Sequence, residues 1–255
     1  MLTLTPLERF PYIQAGDDLV NVINNSLTTN KINILENDIL VITQKIVSKS
    51  EGRFINLKSV TPSQEAMKLA GTCEKDGRLV ELILQESKSV LRVRTGTIIV
   101  RHRLGFVCAN AGIDHSNVFQ ENPESLESVL LLPEDPNLSA RIIREKIKEI
   151  SGVTIGILII DSHGRAWRLG VVGFSIGISG IPGLIDMRGR EDLFGGKLRI
   201  TEIAVADELA AAASLMMGQA SEGFPVIHVR GFPYPLRDGN LSELIRPIEN
   251  DLFNT

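Results

Sequence analysis

Val153-Thr-Ile-Gly-Ile-Leu-Ile-Ile160, followed at once by Asp161-Ser-His-Gly-Arg-Ala-Trp-Arg168, decides the fold class of this chain. The first segment is an almost continuous aliphatic run, and such a strand is buried on both faces. Working outward, Ser139 to Ile150 carries Ile142, Ile143 and Ile147 as the stripe of an amphipathic helix, and Gly152 is a suitable stop. Ile39-Leu-Val-Ile42 reads as a second short buried strand. Thr61-Pro-Ser-Gln64 has the order of an N-cap, a first-turn proline and a capping-box glutamine, predicting a helix through Leu69. A further helix is expected from about Arg78 to Ser87, with Leu79, Leu82 and Ile83 at helical spacing. Thr97 to Val100 and Gly105 to Cys108 look like paired strands. Ala204 to Met217 is an alanine-rich helix stopped by Gly218, and Pro225 to Val229 is another strand. Interspersed strands and helices give a mixed α/β (α+β) class. Asn122 to Asn137, rich in Pro, Glu and Ser, reads as a surface connection, and a domain boundary is allowed near Ser87–Val90.

A chain of 255 residues buries a sizeable core, as one large domain or two small ones. The net charge of −4 offers no basic stripe, so nucleic acid is not an expected partner. Cys73 and Cys108 lie far apart with no CxxC spacing, which argues against a disulfide framework or zinc site and fits a reducing cytoplasm. Met1 to Phe10 lacks the build of a signal peptide, and the apolar run Val171 to Met187 is broken by glycines and a proline. No membrane partner is expected.

Two segments carry candidate chemistry. Cys108-Ala-Asn-Ala-Gly-Ile-Asp-His-Ser-Asn117 and the Asp161 segment each place an aspartate beside small polar residues after an apolar run. Carboxylates in such places are usual ligands of magnesium or manganese, and these ions usually hold phosphates. Asp161 stands at the exit of a buried strand, where open α/β sheets present ligands. The plainer alternative for Asp161 is a turn or cap, and for Asp114 an Asx turn. Arg165 and Arg168 are close enough in sequence to offer guanidinium forks to the same anions. Lys49, in Ser48-Lys-Ser-Glu-Gly-Arg53, is either a phosphate-binding point charge or a solvated lysine in a polar turn; no Walker A loop is present. Gly173, Gly177, Gly180 and Gly183 suit either a phosphate cradle or close backbone packing. Met217-Gly-Gln-Ala-Ser-Glu-Gly223 places oxygen-bearing side chains in a glycine-bounded loop. His115 and His163 adjoin the two aspartates, whereas His102 and His228 read as structural.

Taken together these stretches resemble the coenzyme F420-0:L-glutamate ligases, or gamma-glutamyl ligases. The resemblance rests on Pro11-Tyr-Ile-Gln14 with Gly16-Asp-Asp-Leu19, Gln44 to Arg53, Asn110 to Asn117, Leu130-Leu-Leu-Pro133 with Asp135-Pro136, Asp161 to Arg168, Gly170 to Gly177, and Met217 to Gly223. They stand in family order along nearly the whole chain. The resemblance implies an enzyme that adds L-glutamate to coenzyme F420-0 using GTP. The acceptor carboxylate is phosphorylated, the incoming amine attacks the acyl phosphate, and GDP and phosphate leave; further gamma-linked glutamates are allowed. It also implies a two-domain α/β fold in an intertwined homodimer.

By the same resemblance, Asp114 and Asp161 serve one divalent ion, Mg2+ or Mn2+, and Ser162 and Gln219 a second, with K+ as a further participant. Ser162 and Gln219 stand where relatives often carry threonine and glutamate or glutamine. Pro11, Tyr12, Ile13, Gln14, Thr43, Lys49, Asn117 and the loop of Met217, Gly218, Gln219, Ala220, Ser221, Glu222 and Gly223 surround GTP. Gln14 replaces a frequent lysine. Some relatives carry a C-terminal nitroreductase-like domain; the chain is expected to lack one and to form a single ligase unit of two packed subdomains. Rival readings are a GTP- or ATP-dependent carboxylate–amine ligase acting on another acid, and a nucleotide-binding regulator without turnover.

Overall fold

The computed structural model describes residues 1–116, 118 and 127–251. In chain order the elements are β1 (Thr3–Pro6), α1 (Leu19–Thr29), β2 (Ile39–Thr43), α2 (Gln44–Ser50), β3 (Phe54–Asn56), α3 (Gln64–Cys73), α4 (Gly77–Gln85), β4 (Ser87–Arg94), β5 (Thr97–His102) and β6 (Val107–Ala109). There follow β7 (Ser128–Leu130), α5 (Pro136–Ser151), β8 (Gly156–Arg165), β9 (Arg168–Ser179), β10 (Ile185–Asp186), β11 (Glu202–Ile203), α6 (Val205–Met217) and β12 (Val226–Arg230). The architecture is mixed α/β.

A five-stranded sheet runs in the order β1-β12-β2-β8-β9. Only β2 and β8 are parallel, with Thr43 opposite Ile160; the other neighbours are antiparallel. The two parallel strands are aliphatic throughout their paired length because both faces are covered. Leu40, Ile42, Ile157 and Ile159 share one cluster with residues of α1 and α5, while Ile39, Val41, Leu158 and Ile160 share another with Leu209, Ala210 and Ala213 of α6. Each such buried aliphatic side chain contributes roughly 1.5–3 kcal/mol. A separate cluster joins α3 and α4 to the antiparallel β4-β5-β6 sheet through Ala66, Ala70, Leu79, Val80, Ile83, Ile98, Val100 and Cys108.

Local chemistry sets the helix ends. Asp135 accepts a hydrogen bond from the Leu138 N–H (3.0 Å), Pro136 opens α5, and Gly152 closes it with φ 73°. α3 is capped by Ser63, which accepts from the Ala66 N–H (3.2 Å), and not by Thr61, and it continues past Leu69 to Cys73. The glycines of β9 serve packing: a Cβ at Gly173 would lie 2.6 Å from the Ala210 carbonyl oxygen, and one at Gly177 would collide with Pro136. They let α6 and α5 lie directly on the strand. The expected connection from Asn122 to Asn137 contains β7 and the start of α5; residues 122–126 lie outside the described residues. Ser87–Val90 is the start of β4, which pairs with β5 through two register shifts and belongs to the sheet that packs on α3 and α4. β8 does not end at Ile160; it runs through Arg165 into a hairpin with β9.

Away from the later site, Asp38 ties β2 to β12. Its carboxylate receives His228 Nε2 (2.8 Å), Arg230 Nε (2.9 Å) and Nη2 (2.7 Å), and the Leu35 N–H (2.8 Å). Burial works against its ionisation, but these hydrogen bonds outweigh it and hold its pKa below the usual carboxylate range. His228 is thus the structural histidine expected of it.

Candidate functional site

Strand direction gathers distant segments at one edge of the large sheet. The carboxyl ends of β2 and β8 lie side by side, and antiparallel β12 begins at the same edge, with Val226 opposite Ile42. The Thr43 N–H bonds the Pro225 carbonyl (2.9 Å), which brings the loop after α6 to the end of β2. β1 also finishes there: the Leu7 N–H bonds the Val226 carbonyl (2.9 Å), and the chain continues into Pro11–Gln14. The Gly16 N–H bonds the Ser50 carbonyl (3.0 Å), docking this loop on the end of α2. Such an edge is where α/β sheets receive ligands.

Asp114 reaches this edge from the cluster built on α3, α4 and the β4-β5-β6 sheet. Three consecutive residues before it, Asn110, Ala111 and Gly112, have φ of 50°, 52° and 64°. Left-handed backbone at two non-glycine residues is strained, and such strain concentrates where a loop must aim a side chain. Asp114 itself is no Asx turn: its N–H and C=O exchange 2.9 Å bonds with Leu130. Its side chain is therefore left for α2. Gln44 Nε2 donates to Oδ2 at 2.6 Å, and Lys45 Nζ lies 3.4 Å from Oδ1. Burial pushes the Asp114 pKa up to about 6, against the pull of Lys45, and the nearby Asp161 charge adds to the rise. Lys49, the other candidate cation, sits in the last turn of α2 and not in a polar turn. Burial lowers its pKa, and so does the Lys45 charge.

Asp161 lies on β8 with its side chain largely buried. His163 Nε2 is 2.9 Å from its Oδ2, as expected of residues two apart on one strand face. The His163 ring is held between Phe106 (centroids 5.3 Å) and Phe174 (5.9 Å), and His102 stacks on Phe106 (5.1 Å). Cys108 is also within reach of the Asp161 charge, but burial pushes its thiol up to about 12, so it is no nucleophile at neutral pH.

The remaining candidates divide. Strand alternation turns Ser162 to the α6 side of the sheet, away from Asp161, where its Oγ donates to Gln219 Oε1 (3.0 Å) while Gln219 Nε2 donates to Ser214 Oγ (3.0 Å). The rest of the loop is open: Gly218 ends α6, the Ala220 N–H bonds Glu222 (2.8 Å), and Ser221 and Gly223 are exposed. Met217 packs against the α6-side cluster. In the N-terminal loop Pro11 and Tyr12 are exposed, Ile13 is buried as the anchor, and the Gln14 N–H is held by Asp17 (2.7 Å). Arg165 and Arg168 face each other across the hairpin, about 13 Å of strand beyond Asp161. Arg168 is exposed, while Arg165 Nη1 is buried with no hydrogen-bond partner among the described residues. Asn117 lies outside the described residues. Among the described residues no three His, Cys, Asp or Glu side chains come together to hold a metal.

The model of the family described as F420-0:Gamma-glutamyl ligase matches residues 8–231. The chain belongs to that family. It is similar to the coenzyme F420:L-glutamate ligase of Methanothermobacter thermautotrophicus, with 44% identity covering 99% of this chain and 98% of the relative. The enzymes of the same name from Methanocaldococcus jannaschii (42% identity, 95% and 93%) and Methanopyrus kandleri (46%, 89% and 84%) are similar in the same way. The matched span of the gamma-glutamyl ligase family contains every segment gathered at the sheet edge except the end of β1. Sequence reading did not assign Gln44 or Lys45 a role. They stood in the Gln44 to Arg53 stretch that carries the resemblance, but their position directly after β2 acquires meaning once β2 is paired in parallel with β8.

Proposed function

We propose that this chain joins L-glutamate to coenzyme F420-0 with conversion of GTP to GDP and phosphate. The observation that carries the reading is that Asp114, paired with Lys45, lies within reach of the charges of Asp161 and Lys49 at the carboxyl ends of the parallel strands, in a chain alike along almost its full length to coenzyme F420:L-glutamate ligases. In this reading the acceptor carboxylate oxygen attacks the γ-phosphorus of GTP, and the bond to the GDP oxygen breaks. The glutamate amine then attacks the acyl carbon, loses a proton, and phosphate leaves with the bonding electrons.

Two carboxylates, with no third acidic, His or Cys ligand among the described residues, fit a magnesium-type ion, which completes its shell with water and substrate phosphates. Asp114 and Asp161 would hold it, and when bound it would withdraw charge from the phosphoryl oxygens. Lys49 is placed to meet a phosphate as a half-buried point charge. His163, itself held between two aromatic rings, fixes the Asp161 carboxylate. Pro11–Gln14, Thr43, Asn117 and Met217–Gly223 are proposed around the nucleotide. Ser162 and Gln219 are proposed for a second divalent ion; both are neutral, so its charge would be balanced by phosphates. A potassium ion belongs to the same reading. Arg165 and Arg168, farther along the hairpin, suit a second anion such as the acceptor's phosphate.

The cluster built on α3, α4 and the β4-β5-β6 sheet is proposed as the second subdomain. A homodimer is proposed as well: Trp167 (89% exposed), Leu169 (99%) and Phe194 (96%) form apolar protrusions of the kind a partner copy covers. No described helix is long and apolar enough to cross a membrane.

Incubation with F420-0, L-glutamate, GTP and manganese should yield a product heavier by one glutamyl residue or more, with matching GDP. GDP release that ignores both substrates, with no change in acceptor mass, would sink the reading. Release with another carboxylic acid in place of F420-0 would redirect it to a related ligase.

A further inference from the structure

Asp114 has two oxygens, and α2 treats them differently. Oδ2 receives Gln44 Nε2 at 2.6 Å. Gln44 is fully buried, and its own oxygen accepts from Ser48 Oγ one turn on (2.9 Å), so this amide is fixed in place. Among the described residues Oδ1 meets Lys45 alone, at 3.4 Å. Lys45 is loosely held: its side chain is 26% exposed, and its other contacts, Ser116 Oγ at 3.3 Å and the Ser116 carbonyl at 3.5 Å, are long. The oxygen open to an incoming cation is therefore the one an ammonium already neutralises.

We propose that Lys45 is the resident counter-cation of Asp114, closing Oδ1 to a free divalent ion and turning to the nucleotide's phosphates when ion and nucleotide arrive together. The inference rests on the metal–nucleotide reading above. It adds a residue to that reading and a rule: the ion binds well only as part of the ion–nucleotide pair. Two physical facts support the exchange. An ammonium and a divalent ion at one carboxylate oxygen repel, so the second displaces the first. Lys45 and Lys49 are four residues apart on α2, hence on one face, and their like charges oppose each other. A phosphate set between them relieves that repulsion and gives the displaced ammonium a partner. Ion and nucleotide affinities are then coupled, and coupling of this kind is reciprocal. Gln44 acts as the positioning residue, since it keeps Asp114 aimed while Lys45 moves.

The test is a manganese titration of the intact protein, followed by electron paramagnetic resonance of free Mn2+, with and without GTP and with no glutamate or acceptor. The unaltered protein should bind Mn2+ weakly alone and much more tightly with GTP. Lys45→Met and Lys45→Gln should bind Mn2+ alone about five- to tenfold more tightly, the order expected of one half-buried charge pair. They should also lose most of the GTP-dependent gain. Lys45→Arg, which keeps the charge, should restore weak binding in the absence of nucleotide. A lysine that merely packs would shift none of these ratios. If both neutral variants melt like the unaltered protein yet bind free Mn2+ no more tightly, the counter-cation role is wrong while the ligase reading stands. If the unaltered protein fails to bind Mn2+ even with GTP, the metal–nucleotide reading falls and this inference falls with it.

Discussion

Asp38 and Asp114 are both largely buried carboxylates beside a basic side chain, yet they are built for opposite ends. Asp38 is saturated by His228, Arg230 and the Leu35 N–H, and its ionised form is favoured. Asp114 has one firm donor, Gln44, and one loose cation, and its pKa is pushed up to about 6. Burial alone therefore does not separate a structural acid from a site acid. What separates them is how many of the oxygen lone pairs the protein itself satisfies. A carboxylate left half-satisfied costs stability in the empty protein and gains by binding a cation, the usual opposition of function and stability.

Three experiments bear on this contrast. The largest effect is expected at the site. Asp161→Asn and Asp114→Asn should each lower substrate-dependent GDP release roughly a thousandfold. Asp114→Asn should leave the melting temperature unchanged or higher, because the ionised Asp114 is disfavoured in the empty fold. Retained turnover in either variant would remove that carboxylate from the site. Next, Asp38→Asn should cost about 3 kcal/mol in denaturant unfolding, since it removes the charge that pairs with Arg230 and turns one of two acceptor oxygens into an NH2 group facing the donors His228 and Arg230, while the folded protein keeps its turnover. A loss of turnover without loss of stability would erase the distinction between the two acids.

The smallest effect concerns pH. Glu86 belongs with Asp38: burial disfavours its charge, but His102, Arg103 (2.8 Å) and Arg53 (3.0 Å) hold its pKa down to about 2, against 4.5 ordinarily. A carboxylate depressed in the fold stabilises it above its unfolded pKa, and that contribution is lost as pH falls from about 4.5 toward about 2. The unaltered protein should therefore exceed Glu86→Gln in stability by about 2 kcal/mol at pH 6. The gap should close through this acid window in melting curves. A constant gap would mean that Glu86 acts by packing.

Much of the fold was legible wherever one local signal sufficed. The aliphatic runs of β2 and β8, the Asp135-Pro136 start of α5 and the alanine-rich α6 each declare themselves in a few residues. Thr61 carries the better capping-box signal, Gln64 three residues on, where Ser63 has Ala66; only the emerging helix axis decides which hydroxyl meets a free N–H. The glycines of β9 looked equally apt for a ligand until α6 and α5 were seen to fill the space. At the site, the two aspartates and Lys49 could be nominated from composition and order. Gln44 and Lys45 could not, because their importance comes from a residue seventy positions away.

By itself the sequence determined the mixed α/β class, the family and the chemical kinds of residue available, since periodicity, caps and ordered motifs are properties of neighbours along the chain. Tertiary structure alone decided which acids meet which cations. The parallel pairing of β2 with β8 and the strained turn before Asp114 bring remote side chains into one field, and electrostatic interaction depends on distance in space rather than on separation in sequence.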